Sequence, residues 1–213
     1  MRQSLRHRQI LIENLLLILG SLFILSACIG GNSPAIRFYI LDPVAATSHA
    51  SKPEKQLHIE IKTVRLPQYL QRPQIVTRKQ GNQIRLSETN QWGGNLRKNM
   101  TRTLAVNLSR LLATPNIAVM PYRGVAQPDF RVEVEVMKFE RGSDNKVYLS
   151  AQWRISSKQG SRAITTHMSE LNSEAVTTPG DYGETVTSMA GLYAELSQQI
   201  ASKILELSAQ QGA

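Results

Sequence analysis

Apolar residues fall along the chain in three rhythms. The first is an unbroken run, Leu15 to Leu25, eleven residues without a charge. The second is alternation. It appears in Leu57-His58-Ile59-Glu60-Ile61, read as a strand with clean period two, and more strongly from Phe130. There Phe130, Val132, Val134 and Val136 share one parity, with Arg131, Glu133 and Glu135 on the other. The parity then slips at Met137 and Phe139, which predicts a bulge near Val136. Val147, Leu149, Ala151, Trp153 and Ile155 alternate again, and a weaker strand covers Arg162 to Ser173. With turns at Gly142–Asn145 and Lys158–Ser161, these three segments predict an antiparallel meander with one wet face. Shorter strands are expected at Ile36–Leu41 and Ile117–Met120, and a hairpin at Ile75–Lys79 and Ile84–Leu86.

The third rhythm is helical. Leu96, Met100, Leu104, Leu108, Leu111 and Leu112 form a core stripe on a helix expected from about Gly94 to Ala113, ended by Thr114-Pro115. Arg97, Lys98, Arg102 and Arg110 lie largely off the stripe. A second helix follows Asp181, whose pairing with Glu184 resembles a capping box. Its stripe is Val186, Met189, Ala190, Tyr193, Leu196, Ile200, Ile204 and Leu207. The fold class is α+β: a mainly antiparallel sheet with two long amphipathic helices packed on one face.

Pro67 and Pro73 bracket Gln68-Tyr69-Leu70-Gln71-Arg72. Each proline fixes its own φ and keeps the preceding residue extended, so the stretch between them is a turn or one helical turn. Tyr69, Leu70 and Arg72 are candidate partner-binding residues. Simple turn architecture is the other reading of the same pattern.

The apolar run changes the picture most when its flanks are included. Arg2, Arg6 and Arg8 precede it, and Leu25-Ser26-Ala27-Cys28 closes it with small residues before the only cysteine. A basic start, a short apolar core and a small-residue exit describe a secretory signal peptide. The run is shorter than the roughly 20 residues that span a bilayer. The closing tetrad resembles a bacterial lipobox, which makes Cys28 the lipidation site and new N-terminus, with covalent lipid in place of any cofactor. The expected organisation is a cleaved signal peptide over 1–27, a lipidated tether over 28–35 and one domain over 36–213. The tether reaches at most ~28 Å. In the lipoprotein pattern an aspartate after the cysteine favours inner-membrane retention. Ile29 therefore implies the periplasmic face of the outer membrane.

The chain carries a net charge of +9. Basic charge points to nucleic acid, an anionic membrane or an acidic partner. Export disfavours the first, and the positives are spread along the chain, as on an ordinary solvated surface; a basic face toward phospholipid headgroups or an acidic partner is the other reading. Of the four histidines, His7 leaves with the signal peptide, His49 lies in a loop, and His58 and His167 alternate within strands without acidic or cysteine companions, so no metal site is expected. No metalloprotease helix, nucleophile turn or phosphate-binding glycine loop occurs. Glu133 and Glu135 imitate a hydrolase pair, but glycosidase carboxylates come from separate elements across a cleft. An enzyme is not expected.

Several segments together resemble the PqiC family, the ABC-type transport auxiliary lipoproteins of Gram-negative bacteria. They are Phe38–Pro43, Leu66–Arg78, Trp92 leading into Leu104–Leu112, Phe130–Val134, Phe139-Glu140 and the strand ending at Trp153. The chain departs at Gly93-Gly94-Asn95-Leu96, where the family carries acidic residues and proline, and mildly at Pro121-Tyr122. The resemblance implies a non-enzymatic, outer-membrane component of an intermembrane phospholipid transport system that supports membrane integrity. Its implied partner is a PqiB-like MCE-domain transporter subunit that spans the periplasm. A periplasmic lipid-binding carrier and an outer-membrane assembly lipoprotein are the alternatives. A homo-oligomer stays open, because alternating strands can leave an edge for pairing.

Overall fold

The computed structural model describes Asn14 and residues 34–44, 56–121, 128–157 and 163–212. The apolar run, Cys28, His7, His49 and the expected turn at Lys158–Ser161 lie outside the described residues. Eight strands and two helices are described: β1 (Arg37–Tyr39), β2 (Ile59–Ile61), β3 (Gln74–Arg78), β4 (Ile84–Trp92), α1 (Leu96–Leu111), β5 (Ile117–Val119), β6 (Phe130–Arg141), β7 (Val147–Ser157), β8 (Ala163–Asn172) and α2 (Tyr182–Gly212). The fold is α+β, and Ile36–Ala213 forms one compact unit.

The alternating segments behave as their pattern requires. β6, β7 and β8 form the antiparallel meander, with Val134 opposite Trp153 and Trp153 opposite His167. The register of β6 against β7 shifts between Val136 and Lys138. Met137 is the extra residue and is exposed, which returns Phe139 to the buried side.

β6 is the axis of the sheet. β7 covers one of its edges along its whole length. The other edge is shared end to end: β2 pairs parallel at Phe130–Val132, and β3 pairs parallel at Arg141. β5 then adds to β2, and β4 and β1 add beyond β3. The sheet is therefore mixed, although most paired residues are antiparallel.

Three strands depart from the expected pattern. β4 runs to Trp92, well past Leu86. Its polar stretch hides a strand because Ser87 and Asn90 are buried and hydrogen-bonded: Asn90 N donates to Ser87 Oγ at 3.0 Å, and Tyr39 of the neighbouring β1 donates to Asn90 Oδ1 at 3.0 Å. In β2, Glu60 is 5% exposed, not solvated with His58 as alternation suggests. Its carboxylate pairs with Arg131 on the neighbouring strand. β1 pairs only at Arg37–Tyr39, and the apolar side chains in and beside it, Ile36, Phe38 and Ile40, stay exposed. Just beyond it, Leu41 is fully buried and its backbone is clasped by α1. Leu41 N donates to Asn99 Oδ1 at 2.7 Å, while Asn99 Nδ2 and Thr103 Oγ1 donate to its carbonyl at 3.2 and 2.7 Å.

The helical stripes bury as their spacing demands. Tyr193 of α2 is fully buried, lies 6.2 Å from the Phe139 ring, and donates its hydroxyl to Met100 O of α1 at 3.1 Å. Asn107 Nδ2 reaches Ser197 Oγ at 3.1 Å between the helices. At the start of α2, Glu184 N donates to Asp181 Oδ1 at 3.0 Å. The Glu184 carboxylate does not close the box on Asp181; it accepts from Thr178 N at 2.7 Å. Asp181→Ala is expected to lower stability by about 1 kcal/mol, the usual cost of losing an N-terminal cap, read as a lower urea midpoint with unchanged slope.

Candidate functional site

The Pro67–Pro73 connection sits where two strands share one edge of β6. After β2 the chain continues along β6, with Lys62 N and Arg65 N donating to Val132 O and Val134 O at 3.0 and 2.9 Å. Val136 N donates back to Arg65 O at 2.9 Å. The connection then leaves β6 at its bulge, makes a single 3-10 turn over Gln68–Leu70, and rejoins as β3. Pro67 O accepts from Leu70 N at 3.0 Å, and Leu66 O accepts from Gln71 Nε2 at 2.7 Å. The prolines supply the extended entry and exit, and these bonds close the turn between them.

The structure separates the three candidate contact residues. Leu70 is 2% exposed and packs in the core, whereas Tyr69 and Arg72 are half-buried and Gln68, Gln71 and Pro73 are exposed. Tyr69 donates its hydroxyl to Met137 O, the bulged residue, at 3.3 Å. Burial, then the nearby Glu140 carboxylate, pushes the Tyr69 hydroxyl well above its ordinary range, so it stays a neutral donor. Glu140 is fully buried and accepts from Arg78 Nε at 2.5 Å, while its Oε2 has no hydrogen-bond partner. Arg72 Nε is also buried without a hydrogen-bond partner. Turn and bulge thus form one packed unit with two unsatisfied polar atoms, close to an exposed rim.

The carboxylates that imitate a hydrolase pair are matched by cations. Glu133 accepts from Lys62 Nζ at 2.6 Å and lies 3.6 Å from Arg65 Nη2, and Glu135 lies 3.9 Å from Arg65 Nε. The Lys62 bond holds the Glu133 carboxyl below the usual range, opposite to what a general acid needs. His58 does have an acidic companion: its Nδ1 lies 3.5 Å from Asp129, a residue too distant in sequence to notice. His167 stacks on Trp153 at 4.5 Å. Among the described residues no group of three or more His, Cys, Asp or Glu is placed to hold a metal.

Sequence reasoning did not foresee the grooves beside α1. One, of about 850 Å³, runs between α1 and β5, floored by Ala105, Val106, Ile117 and Val119 and rimmed by cations of α1. A second, of about 550 Å³, lies on the β1 side and includes Ile40, Lys98, Arg102 and Arg110. The four-residue spacing of those cations with Val106 was the signal available.

Taken together, these features define an α+β module built on one long strand, with a proline-bounded turn laid along it. A family model described as ABC-type transport auxiliary lipoprotein component matches residues 39–201, and the chain belongs to that family. It is 25% identical over 175 residues to the intermembrane transport lipoprotein PqiC of Escherichia coli (strain K12), covering 80% of this chain and 87% of that protein. The PqiC of Shigella flexneri matches at the same 25% and over the same spans. Two solved structures share the fold. A Xanthomonas campestris protein has a TM-score of 0.70 at 10% identity, over 83% of this chain and 98% of that one. An uncharacterized protein has a TM-score of 0.64 at 22% identity, over 80% and 99%. The chain is thus a PqiC-like lipoprotein with an accessory role in transport, in a family that is not an enzyme class. Membership fits a membrane-associated location, and among the described residues no helix is long and apolar enough to cross a bilayer.

Proposed function

We propose that this chain is a lipid-anchored, non-enzymatic accessory subunit of an intermembrane phospholipid transport system. Acylated Cys28 holds it at the periplasmic face of the outer membrane, and a PqiB-like MCE-domain subunit docks on it from the periplasm. The observation that carries this reading is the family match over 39–201, with the lone thiol eleven residues upstream at the end of an export-type leader. The packed Pro67–Pro73 turn supplies a preorganised contact surface through Tyr69 and Arg72, while Leu70 holds it to the core.

The test is a pull-down of the lipidated protein with the MCE-domain subunit in detergent. Binding by the unsubstituted protein is expected, with Tyr69→Ala and Arg72→Ala each weakening it by about tenfold or more, as for central interface residues. No binding by the unsubstituted protein ends the docking reading. Normal binding by both variants moves the contact elsewhere.

The groove between α1 and β5 favours a second reading, a lipid-binding carrier. Its apolar floor and cationic rim suit an acyl chain with an anionic head. Native mass spectrometry that finds no co-purified lipid counts against it.

A further inference from the structure

β1 is short, lies at the end of the sheet path, and turns its apolar residues to water. Ile36, Phe38 and Ile40 are 50, 66 and 56% exposed, two residues apart on one side of the strand. Phe38 and Ile40 flank Gly93. A side chain there would meet Ile40 Cγ2 at 3.2 Å, so the glycine lets β1 lie close to the start of α1. The outer surface of α1 is cationic. Lys98, Arg102 and Arg110 stand on one row four residues apart, continued by Val106, and the helix contains no acidic residue. None of the three is in an ion pair among the described residues, and all are exposed. Ile40 and these three cations line the same groove, in which Asp42 is the only carboxylate among the described lining residues.

We propose, on the footing of the lipid-anchored reading above, that this face rests on an anionic phospholipid surface. Ile36, Phe38 and Ile40 enter the headgroup boundary, and Lys98, Arg102 and Arg110 meet lipid phosphates. Three observations select lipid as the occupant. The apolar patch begins one residue after the tether, whose eight residues keep it within ~28 Å of the anchored cysteine. Apolar groups beside long cationic side chains are the composition that settles at a bilayer interface. A second copy related by two-fold symmetry would bring the same cationic row toward itself, at a cost.

The experiment uses the intact lipidated protein. Cys28 is the only thiol in the chain, so once it is acylated Phe38→Cys offers a single labelling position; Met168→Cys on exposed β8 is the control. Each labelled protein, carrying an environment-sensitive fluorophore, is placed in phosphatidylcholine vesicles or vesicles enriched in phosphatidylglycerol, with brominated acyl chains as quencher. Quenching is expected at position 38 and not at 168, stronger in the anionic vesicles. Arg102→Gln with Arg110→Gln is expected to lower the docked-to-undocked ratio about fivefold per cation removed, from the usual contribution of a cation near an anionic surface. Equal quenching at the two positions, or quenching indifferent to lipid charge, overturns the proposal. So does a position 38 shielded from aqueous quencher but untouched by brominated lipid, which marks a protein contact. Flotation of the vesicles reads the anchor separately: protein left behind sinks the anchored reading, and this proposal with it, before any quenching is measured.

Discussion

Cys28→Ser is expected to abolish incorporation of labelled palmitate and to remove the protein from the outer-membrane fraction. The effect is large because anchoring is cooperative in acyl chains. Each buried methylene contributes about 0.8 kcal/mol, so two or more chains hold a protein firmly where one holds it marginally. Nothing else in the sequence replaces that energy. The apolar run before the cysteine is only eleven residues long, short of a span. The proposed lipid-facing patch offers three apolar side chains and three cations, enough to orient an anchored domain but weak as a sole attachment. Unchanged palmitate labelling, or unchanged fractionation of the serine variant, would remove the basis of the proposed function.

Arg78→Met carries the largest expected loss of stability. Glu140 is fully buried, and Arg78 is the cation bonded to it. Taking that cation away leaves a buried charge uncompensated, which costs about 3–5 kcal/mol. The Arg78 side chain is 29% exposed, so some water reaches the pair and the lower end applies. That is still a large share of a typical stability of about 5–15 kcal/mol. The double variant Arg78→Met, Glu140→Leu is expected to recover most of the loss, because no buried charge remains at the pair. A double-mutant cycle from urea midpoints measures the difference. A loss below about 1 kcal/mol for Arg78→Met would mean the pair behaves as a surface salt bridge. The pair also sits beneath the proposed contact turn. Arg78→Met is therefore expected to weaken partner binding beyond what its stability loss explains, as Tyr69 loses its ordered neighbour.

Where the apolar pattern was strong, the fold was legible. The helical stripes and the meander follow from spacing alone, and the parity slip at Met137 marked the bulge. Legibility failed where polar residues are buried. Ser87 and Asn90 conceal the middle of β4, because their mutual hydrogen bonds leave no apolar trace. Glu60 looked solvated because its countercharge, Arg131, is 71 residues away. Exposed apolar residues misled in the other direction: Ile36, Phe38 and Ile40 look like core positions and are not. The parallel pairings were unreadable for a related reason, since each joins segments separated by long stretches of chain. At the proposed contact turn the prolines announced a constrained segment. They did not show that Leu70 points into the core while Tyr69 bonds the bulge.

The clasp on Leu41 has a mechanical side. A tug directed along β1 from the polypeptide ahead of it loads the parallel ladder joining β1 to β4 in shear, so its bonds share the strain instead of opening in sequence. Behind the ladder the strain passes to Asn99 and Thr103, and so into a helix rooted in the core. Were the module tugged between two membranes, as the proposed function implies, a pull along that line would pass into the core rather than peel the sheet from its end.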